Sequence, residues 1–147
     1  MSSVRAFVVA APGLEPFVEA ELRELGIRKR VRAVHGGVEA ELTTRQLYLV
    51  HRWSRCATRV LVRVADGIVH RFDELEALIA SVDWEAYVEA RTPVDVRAAS
   101  SASTLYHEGA IVERVVRAMG RTPAPGAASG AAPVATSGAQ RVQVRIE

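Results

Sequence analysis

The order in which the sequence changes period over residues 6–69 restricts its fold more than anything else in it. Ala6 to Ala10 is a short, wholly apolar run, the signature of a buried strand, and Ala11-Pro12-Gly13 breaks it. From Leu14 to Leu25 the apolar residues Leu14, Phe17, Val18, Leu22 and Leu25 take helical spacing. Pro16 is tolerated in a first turn and Gly26 supplies the stop. Two extended runs follow, Arg28 to His35 and Val38 to Leu42, separated by Gly36-Gly37, and they predict a hairpin whose turn needs positive φ. Thr43-Thr44 is a plausible cap for a helix over Arg45 to Thr58 that packs Leu49, Trp53 and Cys56. Arg59 to Val69 then returns as a strand, with Val60, Val62 and Val64 on one face and Arg59 and Arg63 on the other.

Strand, helix, strand, strand, helix, strand is the ferredoxin-like plan, two helices on one face of an antiparallel sheet. The expected fold class is therefore α+β. A ferredoxin-like lobe occupies residues 1–70, and a second α/β lobe occupies 71–147. The second lobe opens at Asp73, an N-cap with Glu76 in capping-box position, before Leu75, Leu78, Ile79 and Val82; Trp84 and Tyr87 extend the apolar face. Val94, Val96 and Ala98 alternate with Asp95 and Arg97 as a strand. After a small-residue turn, Ile111, Val112, Val115, Val116 and Met119 share one side of a helix, with Arg114 and Arg117 on the other. The loop 121–140 is low in complexity and is expected to be mobile. Arg141 to Glu147 alternates as a closing strand, which is expected to be cut short.

No apolar run approaches the ~20 residues of a membrane span, and a secretory signal pattern is absent, so a soluble cytoplasmic protein is the expectation. The single cysteine, Cys56, excludes an internal disulfide and a thiolate metal cluster. Charge is uneven: residues 1–72 hold 12 basic and 7 acidic side chains, residues 73–147 hold 7 and 10, so the halves carry +5 and −3. A cationic N-terminal face is implied. Arg28, Arg30 and Arg32, with Lys29 beside them, project as a rail at intervals of about 6.6 Å if their run is a strand. Such a rail suits a phosphate backbone, or else it is a charged edge that resists aggregation.

Several stretches carry a resemblance. Ala11-Pro12-Gly13-Leu14-Glu15, Glu21-Leu22, Leu25-Gly26, Gly36-Gly37-Val38, Trp53-Ser54-Arg55, Ala57 and Arg59-Val60 resemble the N-terminal portion of THUMP-containing RNA guanine-N2 methyltransferases. Ser103, Leu105-Tyr106-His107, Gly109-Ala110-Ile111, Glu113-Arg114-Val115 and Ala118 are similar to the signature of the THUMP module itself. The resemblance implies that residues 71–147 form a THUMP domain, and that the chain binds structured RNA, rRNA or tRNA. It would present that RNA to an S-adenosylmethionine-dependent methyltransferase domain, in this case separately encoded or lost. Neither a glycine-rich cofactor loop after a strand nor an Asn/Asp-Pro-Pro-Tyr/Phe motif is present, so no cofactor and no catalytic or metal residue is expected in this chain, and no activity by the chain alone. The segment Ser100 to Thr104 lacks the cations that the family interleaves there, which weakens phosphate attraction through that loop.

The residues expected to meet RNA are Arg28, Lys29, Arg30, Arg32, Ser101, Ser103, Tyr106, His107, Arg114 and Arg117. Tyr106 and His107 have an alternative as local packing or capping groups. His35, His51 and His70 show no ligand spacing, and Cys56 on an apolar stripe reads as a buried thiol. The alternative function is a protein-interaction or vestigial domain of the same fold with little RNA affinity.

Overall fold

The computed structural model describes residues 3–100, 107–124 and 138–146. Two compact units divide the chain, residues 1–64 and 65–147.

In the first unit β1 (Ser3–Ala10), α1 (Glu15–Glu24), β2 (Arg32–Val34), β3 (Gly37–Thr43), α2 (Thr44–Trp53) and β4 (Ala57–Val62) follow in order. The sheet runs β2-β3-β1-β4 with every neighbouring pair antiparallel, the ferredoxin-like arrangement. Alternation decides which face is buried. Ala6, Val8 and Ala10 of β1 and Val38, Ala40 and Leu42 of β3 meet Val18 and Leu22 of α1 and Val50 of α2 in one core. The other face carries Phe7 and Glu39, which are cross-strand partners.

Glycines set the turns of this unit. Gly26, at φ 77°, ends α1 in a Schellman motif: its N–H donates to Arg23 O at 3.1 Å, and the Ile27 N–H donates to Leu22 O at 3.0 Å. The link His35-Gly36 joins β2 to β3 with Gly36 at φ 82°. Gly37 is held for another reason, since a Cβ there would come within 2.4 Å of Val8 O and 2.9 Å of Phe7 Cζ.

The boundaries of β2, α2 and β4 differ from those the sequence predicts. Residues 28–31 lie outside the strand, with a turn at Lys29 and Arg30, the latter in the left-handed region at φ 53°, and β2 is confined to Arg32–Val34. The helix expected to reach Thr58 ends at Trp53, because the Glu21 carboxylate of α1 takes the Ser54 hydroxyl at 2.6 Å and the Arg55 and Cys56 N–H groups at 3.1 and 3.3 Å. Those donors fix an extended backbone, so β4 begins at Ala57; it stops at Val62, short of the Val69 expected. A capping box opens α2: Gln46 N–H donates to Thr43 Oγ1 and Thr43 N–H to Gln46 Oε1.

The second unit contains α3 (Phe72–Ala80), a single 3₁₀ turn at Trp84–Ala86, β5 (Val94–Ser100), α4 (Glu108–Met119) and β6 (Gln140–Ile146). The cap of α3 is not the expected Asp73/Glu76 pair. Glu74 accepts from the His70 and Arg71 N–H groups at 2.7 and 3.2 Å, and Asp73 pairs with Arg71. That hydrogen bond to the guanidinium holds the Asp73 carboxyl at about 2. Strands β5 and β6 pair in parallel, Val94 beside Gln140 through Ser100 beside Ile146. Ile111, Val115 and Met119 of α4 are buried, as are Leu75 and Ile79 of α3. Buried Asp95 accepts from Arg97 Nε at 2.9 Å on its own strand and from Arg141 Nε at 3.1 Å on β6.

Candidate nucleic-acid interface

Of the cations nominated in the first unit, Lys29, Arg30 and Arg32 are engaged. Lys29 and Arg30 reach Glu41 of β3, the latter at 3.6 Å, and Ser3 donates its hydroxyl to the same carboxylate. Arg32 and Arg63 reach Glu39 at 2.9 and 3.2 Å. Register explains this convergence. Glu39 stands opposite Arg32 on one side and Phe7 on the other, and Glu41 stands opposite Arg5, so acid and base alternate across the sheet. Arg32 beside Glu39 and Lys29 beside Glu41 depress both carboxyls below their ordinary range. The expected rail of side chains at two-residue intervals is therefore not formed. A lattice of four cations on two carboxylates replaces it, because Arg28, Lys29 and Arg30 leave the strand. Among the described residues Arg28 has no ion-pair partner.

In the second unit Ser101, Ser103 and Tyr106 lie outside the described residues. His107 is the N-cap of α4, where its carbonyl accepts the Ile111 N–H at 3.1 Å and its side chain makes no capping bond. Arg114 does not project from a free helix face. Its guanidinium donates to Glu76 of α3 at 2.8 Å and lies 4.7 Å from the Phe72 ring centroid, tying the two helices together. Arg117 pairs with Glu113, 2.8 Å away and one turn back on the exposed surface.

A different surface carries exposed rings and unneutralised charge. Helix α2 presents Tyr48 at 72% exposure and Trp53 at 58%, with the Arg52 guanidinium 5.6 Å from the Trp53 ring centroid. Leu47 and Val50 form the core stripe of this helix. At 3.6 residues per turn, Arg45 and Arg52 then fall on the side opposite the core, flanked by Tyr48 and Trp53. Arg45 and Arg52 make no ion pair among the described residues, and α2 contains no acidic residue. The expectation that Trp53 packs inside is thus reversed. Leu14 and Phe17 of the predicted α1 stripe are also exposed, Phe17 at 60%. Phe17 lies one turn before Glu21 on α1, on the side that grips the end of α2. The signal was present in the sequence, since residues 42–65 contain five arginines and no acid.

Little on the described surface suits covalent or metal chemistry. Among the described residues no group of His, Cys, Asp and Glu could hold a metal ion. Burial, then the Glu21 carboxylate, pushes the Cys56 thiol above its ordinary value, away from a reactive thiolate. Burial also works to raise Glu21, but the Ser54 hydroxyl and the Arg55 and Cys56 N–H groups outweigh it and leave that carboxyl lowered. Among the described residues no helix is long and apolar enough to cross a membrane.

Comparison with known proteins agrees with this architecture. Residues 5–61 match the family model for the RlmL ferredoxin-like domain. Ribosomal RNA large subunit methyltransferase K/L of Psychromonas ingrahamii is 36% identical over 83 residues, 56% of this chain and 11% of that protein. The Magnetococcus marinus enzyme of the same name is 29% identical over 127 residues, 81% of this chain and 18% of that protein. The chain therefore spans less than a fifth of these relatives, and it matches their N-terminal, THUMP-containing region. Among solved structures, a "predicted N6-adenine-specific DNA methylase" from Listeria monocytogenes superposes on 100% of this chain and 38% of its own, with a TM-score of 0.82 at 25% identity.

Proposed function

We propose, from its kinship with the N-terminal region of ribosomal RNA methyltransferases, that this chain binds structured RNA and presents it to an S-adenosylmethionine-dependent methyltransferase domain. The observation that carries the reading is the shared ferredoxin-like lobe, matched over residues 5–61 and continued into the second lobe in the longer alignments. Ribosomal RNA is the first substrate to try and tRNA the second. The methyltransferase domain, whether on another chain or elsewhere on a longer one, brings the cofactor and the chemistry. This chain supplies affinity and orientation.

Its affinity is electrostatic in origin, through arginines whose contacts with phosphate release counterions. A filter-binding titration with fragments of large-subunit rRNA and with tRNA, at two salt concentrations, tests the reading. Saturable binding that weakens as salt rises, by about 0.9 log units in affinity per tenfold salt for each phosphate neutralised on duplex, is the expected result. Binding absent at low salt overturns it. The second reading, a protein-interaction domain with little RNA affinity, draws on the pairing of Lys29, Arg30 and Arg32 with Glu39 and Glu41. It is chosen if no RNA binds while a methyltransferase domain does.

A further inference from the structure

We propose that the outer face of α2 is a stacking site for unpaired nucleotides of RNA, with Trp53 and Tyr48 receiving bases and Arg45 and Arg52 receiving phosphates; this rests on the reading that the chain binds RNA. Ring exposure is the first support. A tryptophan 58% exposed beside Arg52 and a tyrosine 72% exposed one turn before that arginine forgo the burial such rings ordinarily gain.

Unspent charge is the second support. Elsewhere in this unit the nominated Lys29, Arg30 and Arg32 meet carboxylates, whereas Arg45 and Arg52 meet none among the described residues and no acid occurs anywhere in α2. A protein partner could cover the rings, but it would have to bring acids placed over both arginines. A nucleotide offers a flat π-face and an anion in one unit, which is the combination this face presents. Pairing state follows from the same chemistry. Bases inside a duplex are stacked on each other and expose only edges, so the ring faces here select unstacked, single-stranded positions. Arg52, already lying against the indole, is placed to extend the stack or to swing to a phosphate while the ring remains in position.

Trp53 reports on its own site. The chain has two tryptophans, and Trp84 is 7% exposed with its indole N–H held by Ile79 O at 2.9 Å, so a ligand that stacks on the surface quenches Trp53. Intrinsic emission of the full chain is titrated with a single-stranded RNA of about ten nucleotides and with a hairpin of the same composition. Anisotropy of the labelled RNAs gives affinity in parallel, for the wild type and for Trp53→Ala, Trp53→Phe and Arg52→Glu. The single strand is expected to quench emission. Trp53→Ala should weaken single-strand binding by about tenfold, while Trp53→Phe keeps most of it. Arg52→Glu should lower the salt slope by about 0.7 for the lost phosphate contact. If the RNAs bind by anisotropy while emission and the Trp53→Ala affinity stay unchanged, the α2 site falls and the RNA-binding reading stands. If neither RNA binds, both fall. If Trp53→Ala leaves RNA affinity intact but dissociates a self-assembled species in sedimentation velocity, the face belongs to protein contact and the proposal is overturned.

Discussion

The outer face of the first sheet and the outer face of α2 are both rich in cations, yet they have opposite electrostatic characters. On the sheet, Lys29, Arg30, Arg32 and Arg63 are answered by Glu39 and Glu41; on the helix, Arg45 and Arg52 meet no acid among the described residues. The difference is one of secondary-structure period. Cross-strand neighbours come from distant parts of the chain, so β3 can bring glutamates to arginines of β2 and of the segment after β4. A helix surface draws its neighbours from three and four residues away, and in α2 those positions hold no acid. Counting basic residues therefore finds both faces, and only the register separates them.

The largest effect that sharpens this contrast is on the sheet as architecture. Gly37→Val drives a side chain into Val8 O and the Phe7 ring and is expected to cost about 3 kcal/mol, seen as a fall in Tm of roughly 10–20 °C for the first lobe. A wild-type Tm in that variant would mean that the Phe7 side of the sheet is loosely packed.

Next comes charge. The double change Glu39→Gln with Glu41→Gln releases four cations and should raise RNA affinity at low salt severalfold, with a steeper salt dependence, making the sheet behave as the helix does. Arg30→Glu in the wild-type background should change affinity less than Arg52→Glu does. The reverse order would erase the distinction between the two faces.

The same carboxylates give a pH signature. Their folded pKa values lie below the unfolded value of 4.5, so the stability they contribute is fully present above that pH and is lost as pH falls through the lowered values. The first lobe should therefore melt earlier below about pH 4.5, and the double glutamine variant should show a shallower acid dependence in urea titrations. The smallest effect is the control: Arg117→Ala removes an exposed pair with Glu113 and should move stability by less than about 0.5 kcal/mol.

Much of the fold was legible because local patterns agreed with one another. Ala6, Val8, Val18 and Leu22 found the core by period, Gly26 and Gly36 marked a stop and a turn, and Ile111, Val115 and Met119 gave the buried stripe of α4, whereas on α2 the core residue is Val50 and not the expected Trp53. What escaped depended on partners far along the chain. Glu21 ends α2 by holding Ser54, 33 residues on, and no local rule announces that. Glu39 and Glu41 neutralise cations that looked available, and Glu76 with Phe72 captures Arg114. Trp53 is large and apolar and so suggests core, yet the acid-free arginine stretch around it, residues 42–65, points outward.

The parallel partnership of β5 with β6 also imposes a timetable on synthesis. The first lobe draws every strand of its sheet from the first 64 residues and can be finished while the remainder is still being translated. The second lobe has to wait, because β5 gains its neighbour and Asp95 its second arginine only after Gln140 to Ile146 have left the ribosome. During that interval a strand edge stands open and an acid destined for the interior stays wet, so any nascent-chain chaperone has its business with the later half of the polypeptide.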